Sequence, residues 1–202
     1  MTAKTFAATT LGAAFAAALL SGCVAPVGPV EVTRFHLPDT AMLGRGAIAV
    51  DVAPGEDANG IEARTYRAEV ARRLVLLGYS EAAPGTPAPQ VAEVRVSRQT
   101  WRPERSGSPV SVGVGGSTGS YGSGVGLGIG FDLSGRPPAQ TRTDLAVRIR
   151  DRASGQALWE GRASFTVRAD SPMAQTSLGA AKMTEALFKG FPGQSGATIT
   201  VE

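Results

Sequence analysis

The sequence predicts an α+β fold: a two-layer sandwich whose mainly antiparallel sheet carries two helices on one face, with a Gly-rich hairpin insertion. Three observations lead there. Several stretches alternate apolar and polar residues at period two, and two others place apolar residues on a helical stripe. Their order along the chain is ββα, then β, the insertion, ββα and a short β.

Residues 1–22 read as an export signal, with Lys4 as the only charge, an Ala/Leu-rich run from Phe6 to Leu20, and small Ser21 and Gly22 at its end. The run is shorter and richer in alanine than a membrane-spanning helix, which needs about 20 strongly apolar residues. Residues 23–30 are small, apolar and punctuated by Pro and Gly, with no charge before Glu31, as suits a tether. The remainder, 31–202, is long enough for a single α+β domain and too short for two comfortable ones.

Within that domain, Val32 to Leu37 alternates, and Ala47 to Val52 sets Ile48, Val50 and Val52 on one face, so both are expected strands. The first helix is expected from about Gly60 to Leu77. Its stripe is Ala63, Tyr66, Val70, Leu74 and Leu77, and Gly78 is its C-terminal cap. A Pro-rich spacer leads to a strand from Val91 to Trp101, in which Ala92, Val94 and Val96 alternate with Glu93, Arg95 and Ser97, giving one wet face.

Beyond the insertion, Leu145, Val147 and Ile149 alternate against Ala146, Arg148 and Arg150. The turn "DRASGQ" and a second arm follow, with Trp159, Ala163, Phe165 and Val167 on one face and Leu158, Glu160, Arg162 and Ser164 on the other. The two arms offer apolar faces to one core. The second helix is expected to start at a Ser171 cap with Pro172 in the first helical position, to bury Thr176, Ala180, Met183 and Leu187, and to stop at Gly190, with Phe191 folding back on its last turn. The tail "ATITVE" reads as an edge strand.

The insertion, residues 106–135, holds 11 glycines in 30 residues. Val110, Val112 and Val114 are spaced by two, as are Val125, Leu127, Ile129 and Phe131, with Gly or Ser between: a hairpin with one aliphatic face and one nearly bare face. Three readings fit it. One is a mobile hairpin, because glycine loses more entropy on ordering than any other residue. Another is an ordered ribbon whose bare face lets a partner backbone come close. The last is a membrane hairpin donated by each chain of an oligomer, for which arms of about seven or eight residues are short of the usual 9–11.

Charge points to no particular partner. The net charge is +3 with the export signal included, and 17 of the 20 basic residues are arginine, which coding bias explains as readily as anion recognition, so nucleic acid is not an expected partner. Chemistry is equally sparse. His36 is the only histidine, expected to be hydrogen-bonded or exposed rather than a general base. Gly115 to Gly119 matches G-x-S-x-G, but neither a helix nor a histidine follows it, as a nucleophile elbow requires. The G-x-G pattern from Gly122 to Gly130 never completes a phosphate loop, and the adjacent acids Glu56 and Asp57 sit in a loop without calcium-ligand spacing. No metal, no cofactor and no catalytic residue is expected.

The one cysteine closes the export signal in Leu20-Ser21-Gly22-Cys23, which resembles the lipobox of bacterial lipoproteins. That resemblance implies that Cys23 is lipidated and becomes the first residue, a stable anchor because several acyl chains hold where one does not. It also implies outer-membrane sorting, because Val24 and Ala25 stand where an aspartate would retain the protein in the inner membrane.

The lipobox, "VTRFHLP", "RRLVLLGY", "LAVRIRDRASGQALWEGRASFTV" and "AAKMTEALFKGFPGQSG" together resemble the bacterial lipoproteins grouped as domain of unknown function 4136. The most specific parts are Gly155, Trp159 to Ala163 and Phe191 to Gly193. The resemblance implies an envelope lipoprotein with an α+β domain and carries no catalytic residues; the Gly-rich insertion departs from its pattern.

The expectation is therefore a lipoprotein anchored through Cys23 at the periplasmic face of the outer membrane of a Gram-negative bacterium. It would be a non-catalytic binding or scaffolding module whose partners are the membrane and an envelope protein or a second copy of itself. The expected contact residues are Val112, Val114, Tyr121, Val125, Leu127, Ile129 and Phe131. Two other classes stay open: an envelope-assembly or export component that inserts the hairpin as an oligomer, and a hydrolase with an unrecognised site.

Overall fold

The computed structural model describes residues 28–83, 85–104 and 137–202 and, for their backbone, 110–119 and 122–131. The expected export signal and most of the tether, Cys23 among them, and Tyr121 lie outside the described residues. The chain runs β1 (Val30–His36), β2 (Ala47–Val52), α1 (Ile61–Leu76), β3 (Ser80–Glu81), β4 (Gln90–Trp101), β5 (Val110–Gly119), β6 (Gly122–Phe131), β7 (Gln140–Asp151), β8 (Ala157–Arg168), α2 (Thr176–Phe188) and β9 (Thr198–Val201).

Among the described residues, seven strands form one sheet in the order β3-β2-β4-β7-β8-β1-β9, and β5 and β6 pair only with each other. Pairing in the large sheet is antiparallel except at β2, which runs parallel to both β3 and β4. The parallel step follows from connectivity, since a strand can return parallel to its predecessor only over a crossover, and α1 supplies one between β2 and β4. β3 is a short addition held by backbone bonds from Ser80 to Gly46 (2.9 Å) and from Ala82 to Ile48 (2.9 Å).

Both helices pack on the same face of the sheet, and that face is the core. The rows predicted by alternation are buried: Leu145, Val147 and Ile149 on β7, and Trp159, Ala163, Phe165 and Val167 on β8. On α1, Tyr66, Val70 and Leu74 face them, and on α2, Ala180, Met183 and Leu187. The Tyr66 hydroxyl donates to Met183 Sδ at 3.6 Å, and burial followed by the nearby Glu62 charge pushes its pKa up to about 12, so it stays neutral. The helices lie side by side in the same direction. Arg98 joins Glu62 and Thr176 at their starts (3.2 Å each), and Arg73 meets Glu185 (3.8 Å) near their ends.

Gly78 and Gly190 have the positive φ expected of helix caps. The start of the second helix differs from expectation. Ser171 caps only a 3-10 turn, Pro172–Ala174, through Met173 N–H (3.3 Å), and Gln175 is extended before α2 begins at Thr176.

Candidate functional site

Two parts of the sequence signature, Trp159 with Gly161 and the segment Phe191 to Gly193, converge on one place, where β1, β8 and the end of α2 meet. Trp159 lies on the core face of β8, and two residues on, Gly161 occupies the same face. A Cβ built on Gly161 would overlap the Trp159 ring and come within 2.8 Å of Leu187 Cδ1, so the glycine is what lets the indole lie down along its own strand. The ring stacks on Phe188 (5.2 Å between centroids, 16°), Phe191 tilts against both, and the indole N–H donates to Pro192 O at 2.9 Å.

Beside this cluster, Arg34 is 4% exposed although it carries a charge. It occupies the core row of β1 with Val30 and Val32. Its Nε and Nη2 donate to Leu187 O and Ala186 O at 2.9 Å each, two of the last carbonyls of the helix, of which Ala186 O also accepts the Lys189 N–H at 3.3 Å. Burial pulls its pKa down, and the negative end of the α2 dipole favours the charge in return. Gly193, at φ +83°, passes so close that a Cβ there would stand 2.8 Å from the guanidinium.

His36 is hydrogen-bonded, one of the two environments expected for it. Its ring nitrogens face Leu37 O (2.7 Å) and Gly193 O (3.1 Å), and its backbone N–H donates to Ser195 Oγ (3.1 Å). Trp159, Arg34 and His36 thus fasten the end of α2 and the segment after it onto β1 and β8.

The opposite face of the sheet is open, as the sequence expected for β4. Its charges interlock. Arg148 and Arg162 reach Glu160 at 3.2 and 2.6 Å, Arg150 reaches Glu93 at 2.7 Å, Arg142 reaches Asp144 at 3.0 Å and Arg95 reaches Glu56 at 3.1 Å. A shallow groove of about 390 Å³ runs over Ala146 between Arg95, Arg148 and Arg162. With its charges paired in this way the face is that of a solvated antiparallel sheet.

Burial pushes the Glu160 pKa up, but hydrogen bonds and charge from Arg162 and then Arg148 outweigh it and hold the carboxyl below its ordinary 4.5. A depressed carboxylate stabilises the fold above its unfolded pKa and loses that contribution as pH falls through the folded value. Glu160→Gln should therefore lower stability at pH 7 by about 0.5–1 kcal/mol, as partly exposed pairs do, and by less at pH 3. Urea unfolding at both pH values checks this.

The ribbon is the remaining feature. Its register pairs Val110 with Phe131, Val112 with Ile129, Val114 with Leu127 and Gly116 with Val125. Alternation then places these on one face, and Ser111, Gly113, Gly115, Ser117 and the even-numbered glycines 122–130 on the other. Six of the seven expected contact residues, all but Tyr121, fall on that aliphatic face. Residues 115–119 are strand and the next described residues, from Gly122, are strand again, so among the described residues the G-x-S-x-G match opens no helix. Among the described residues no three His, Cys, Asp or Glu side chains gather as a metal site needs, and no helix is long and apolar enough to cross a membrane.

The model of the family described as Domain of unknown function (DUF4136) matches residues 34–193. The uncharacterized protein ZMO1243 of Zymomonas mobilis subsp. mobilis is 28% identical over 225 residues, spanning 86% of this chain and 80% of that protein. A PDZ domain protein from Parabacteroides distasonis shares the fold with a TM-score of 0.50 at 11% identity, covering 95% of this chain and 42% of its own. The PelC dodecamer from Paraburkholderia phytofirmans gives a TM-score of 0.47 at 14% identity, covering 82% of this chain and 99% of its own.

Proposed function

We propose, since the chain belongs to the DUF4136 family, that it is a non-catalytic binding or scaffolding module of the bacterial cell envelope, held through acylated Cys23 on the periplasmic face of the outer membrane. The observation that carries this reading is the β5–β6 ribbon, whose register sorts bulky apolar residues onto one face and leaves Gly and Ser on the other. A surface built that way suits contact with another chain.

The family signature supports the non-catalytic part. Trp159, Gly161, Arg34 and Gly193 are engaged in packing, and the single histidine faces two carbonyl oxygens. The anchor rests on the lipobox alone. Mass analysis of protein from its native host is expected to find residues 1–22 removed and acyl chains on Cys23; an uncleaved, unacylated chain overturns the envelope role.

A further inference from the structure

The ribbon has two open edges, and the seven-stranded sheet takes up neither. We propose that copies of this chain join their ribbons edge to edge into a closed, membrane-spanning barrel, with the Val, Leu, Ile and Phe face toward lipid and the Gly and Ser face toward the lumen. This rests on the ribbon being the contact surface of the module, and it names the partner as a second copy of the same chain.

Strand length is the first argument. The apolar residues alone suggest arms of seven or eight, but pairing continues through the glycines to 10 residues in each strand. At about 3.3 Å per residue such a strand is about 33 Å long, and tilted by about 45° it rises about 23 Å, close to the apolar band of about 25 Å in an outer-membrane barrel.

The edges are the second. Strands exposed to water usually carry charge or proline as protection, yet no charged residue and no proline occurs from Val110 to Phe131. A lone two-stranded ribbon is marginal in water, and glycine makes ordering it costlier. In lipid each backbone N–H and C=O must be paired, which an open ribbon cannot do and a closed ring of ribbons can. Because β5 and β6 alternate in direction, the β6 edge of one copy meets the β5 edge of the next antiparallel. That contact is heterologous and propagates until the ring closes.

The connections to the ribbon are equal in length, eight residues between Trp101 and Val110 and eight between Phe131 and Gln140.

The test uses the full acylated chain in its own outer membrane, where lipidated Cys23 leaves no free thiol. Gly113→Cys with Gly124→Cys puts one thiol in each strand, four residues out of pairing register, and a flexible bis-maleimide then links neighbours. The expected result is a ladder of homo-oligomers beyond the trimer, whereas each single variant stops at the dimer. Leu127→Glu with Ile129→Glu should reduce the ladder at least tenfold, and Ser111→Glu with Ser117→Glu should leave it. Protease resistance of the domain shows that each variant still folds. Monomers and dimers only, or a ladder lost with the Gly/Ser-face pair and kept with the aliphatic-face pair, would overturn the barrel. Links to a different protein without a ladder would also overturn it while leaving the binding-module reading intact. Absence of every link would remove both.

Discussion

Replacing Trp159 by alanine is expected to lower the stability of the folded chain by about 3–5 kcal/mol, the range for removing a buried aromatic. The side chain is 1% exposed, packs between Phe188, Phe191 and Leu187, and donates to Pro192 O at 2.9 Å. Truncation opens a cavity that a sheet and a helix cannot collapse to fill, and it strips the loop after α2 of its main attachment. In a chain of this size each kcal/mol moves the melting temperature by roughly 2–4 °C, so thermal melts should fall by roughly 6–20 °C. A melt within a degree or two of the parent would mean that the aromatic cluster does not hold α2 to the sheet.

Adding one methyl group next to that ring should cost nearly as much. Gly161→Ala puts a Cβ where the Trp159 ring already lies and 2.8 Å from Leu187 Cδ1, with strand backbone behind it that cannot retreat. Overpacking of this kind typically costs 1–3 kcal/mol, and we expect about 3 here because two neighbours must move together. The double variant separates clash from any other cause. With Trp159 already alanine, Gly161→Ala should become nearly neutral, a coupling of about 2–3 kcal/mol in a double-mutant cycle. Additive costs would show that the glycine serves backbone conformation and not the close approach of the indole.

These residues also mark what could be read from the chain beforehand. Alternation found the core rows of β7 and β8, and helical spacing found Tyr66, Val70 and Leu74, because burying one face imposes a period that no other force imitates. Arg34 was not legible. It falls on the core row of β1 by alternation, but a charge on a buried row makes sense only when the carbonyls of Ala186 and Leu187, over 150 residues away, are known to end beneath it. Nor was the parallel pairing of β2 with β4, since parallel and antiparallel strands share one period.

The second helix starts later than its cap residue suggests, because Ser171 satisfies a 3-10 turn as well as it would an α-helix. The ribbon arms exceed their sequence expectation for a related reason. Counting bulky residues misses Gly116 to Gly119 and Gly122 to Gly124, which pair through backbone alone. Of the candidate contact residues, sequence gave the face and structure the register. The lock around Trp159 was visible in the sequence only as a signature without a role.

Trp159, Gly161, Arg34 and Gly193 pack the domain together, and we propose that the ribbon makes its outward contacts. In-cell photocrosslinking from Leu127 or Ile129, compared with Arg148 and Arg162 on the open sheet face, tests it most directly. The expected result is adducts to a neighbouring copy, with lipid adducts beside them, from the two ribbon positions and no adducts from the two sheet positions. Adducts from the sheet face with none from the ribbon would contradict it.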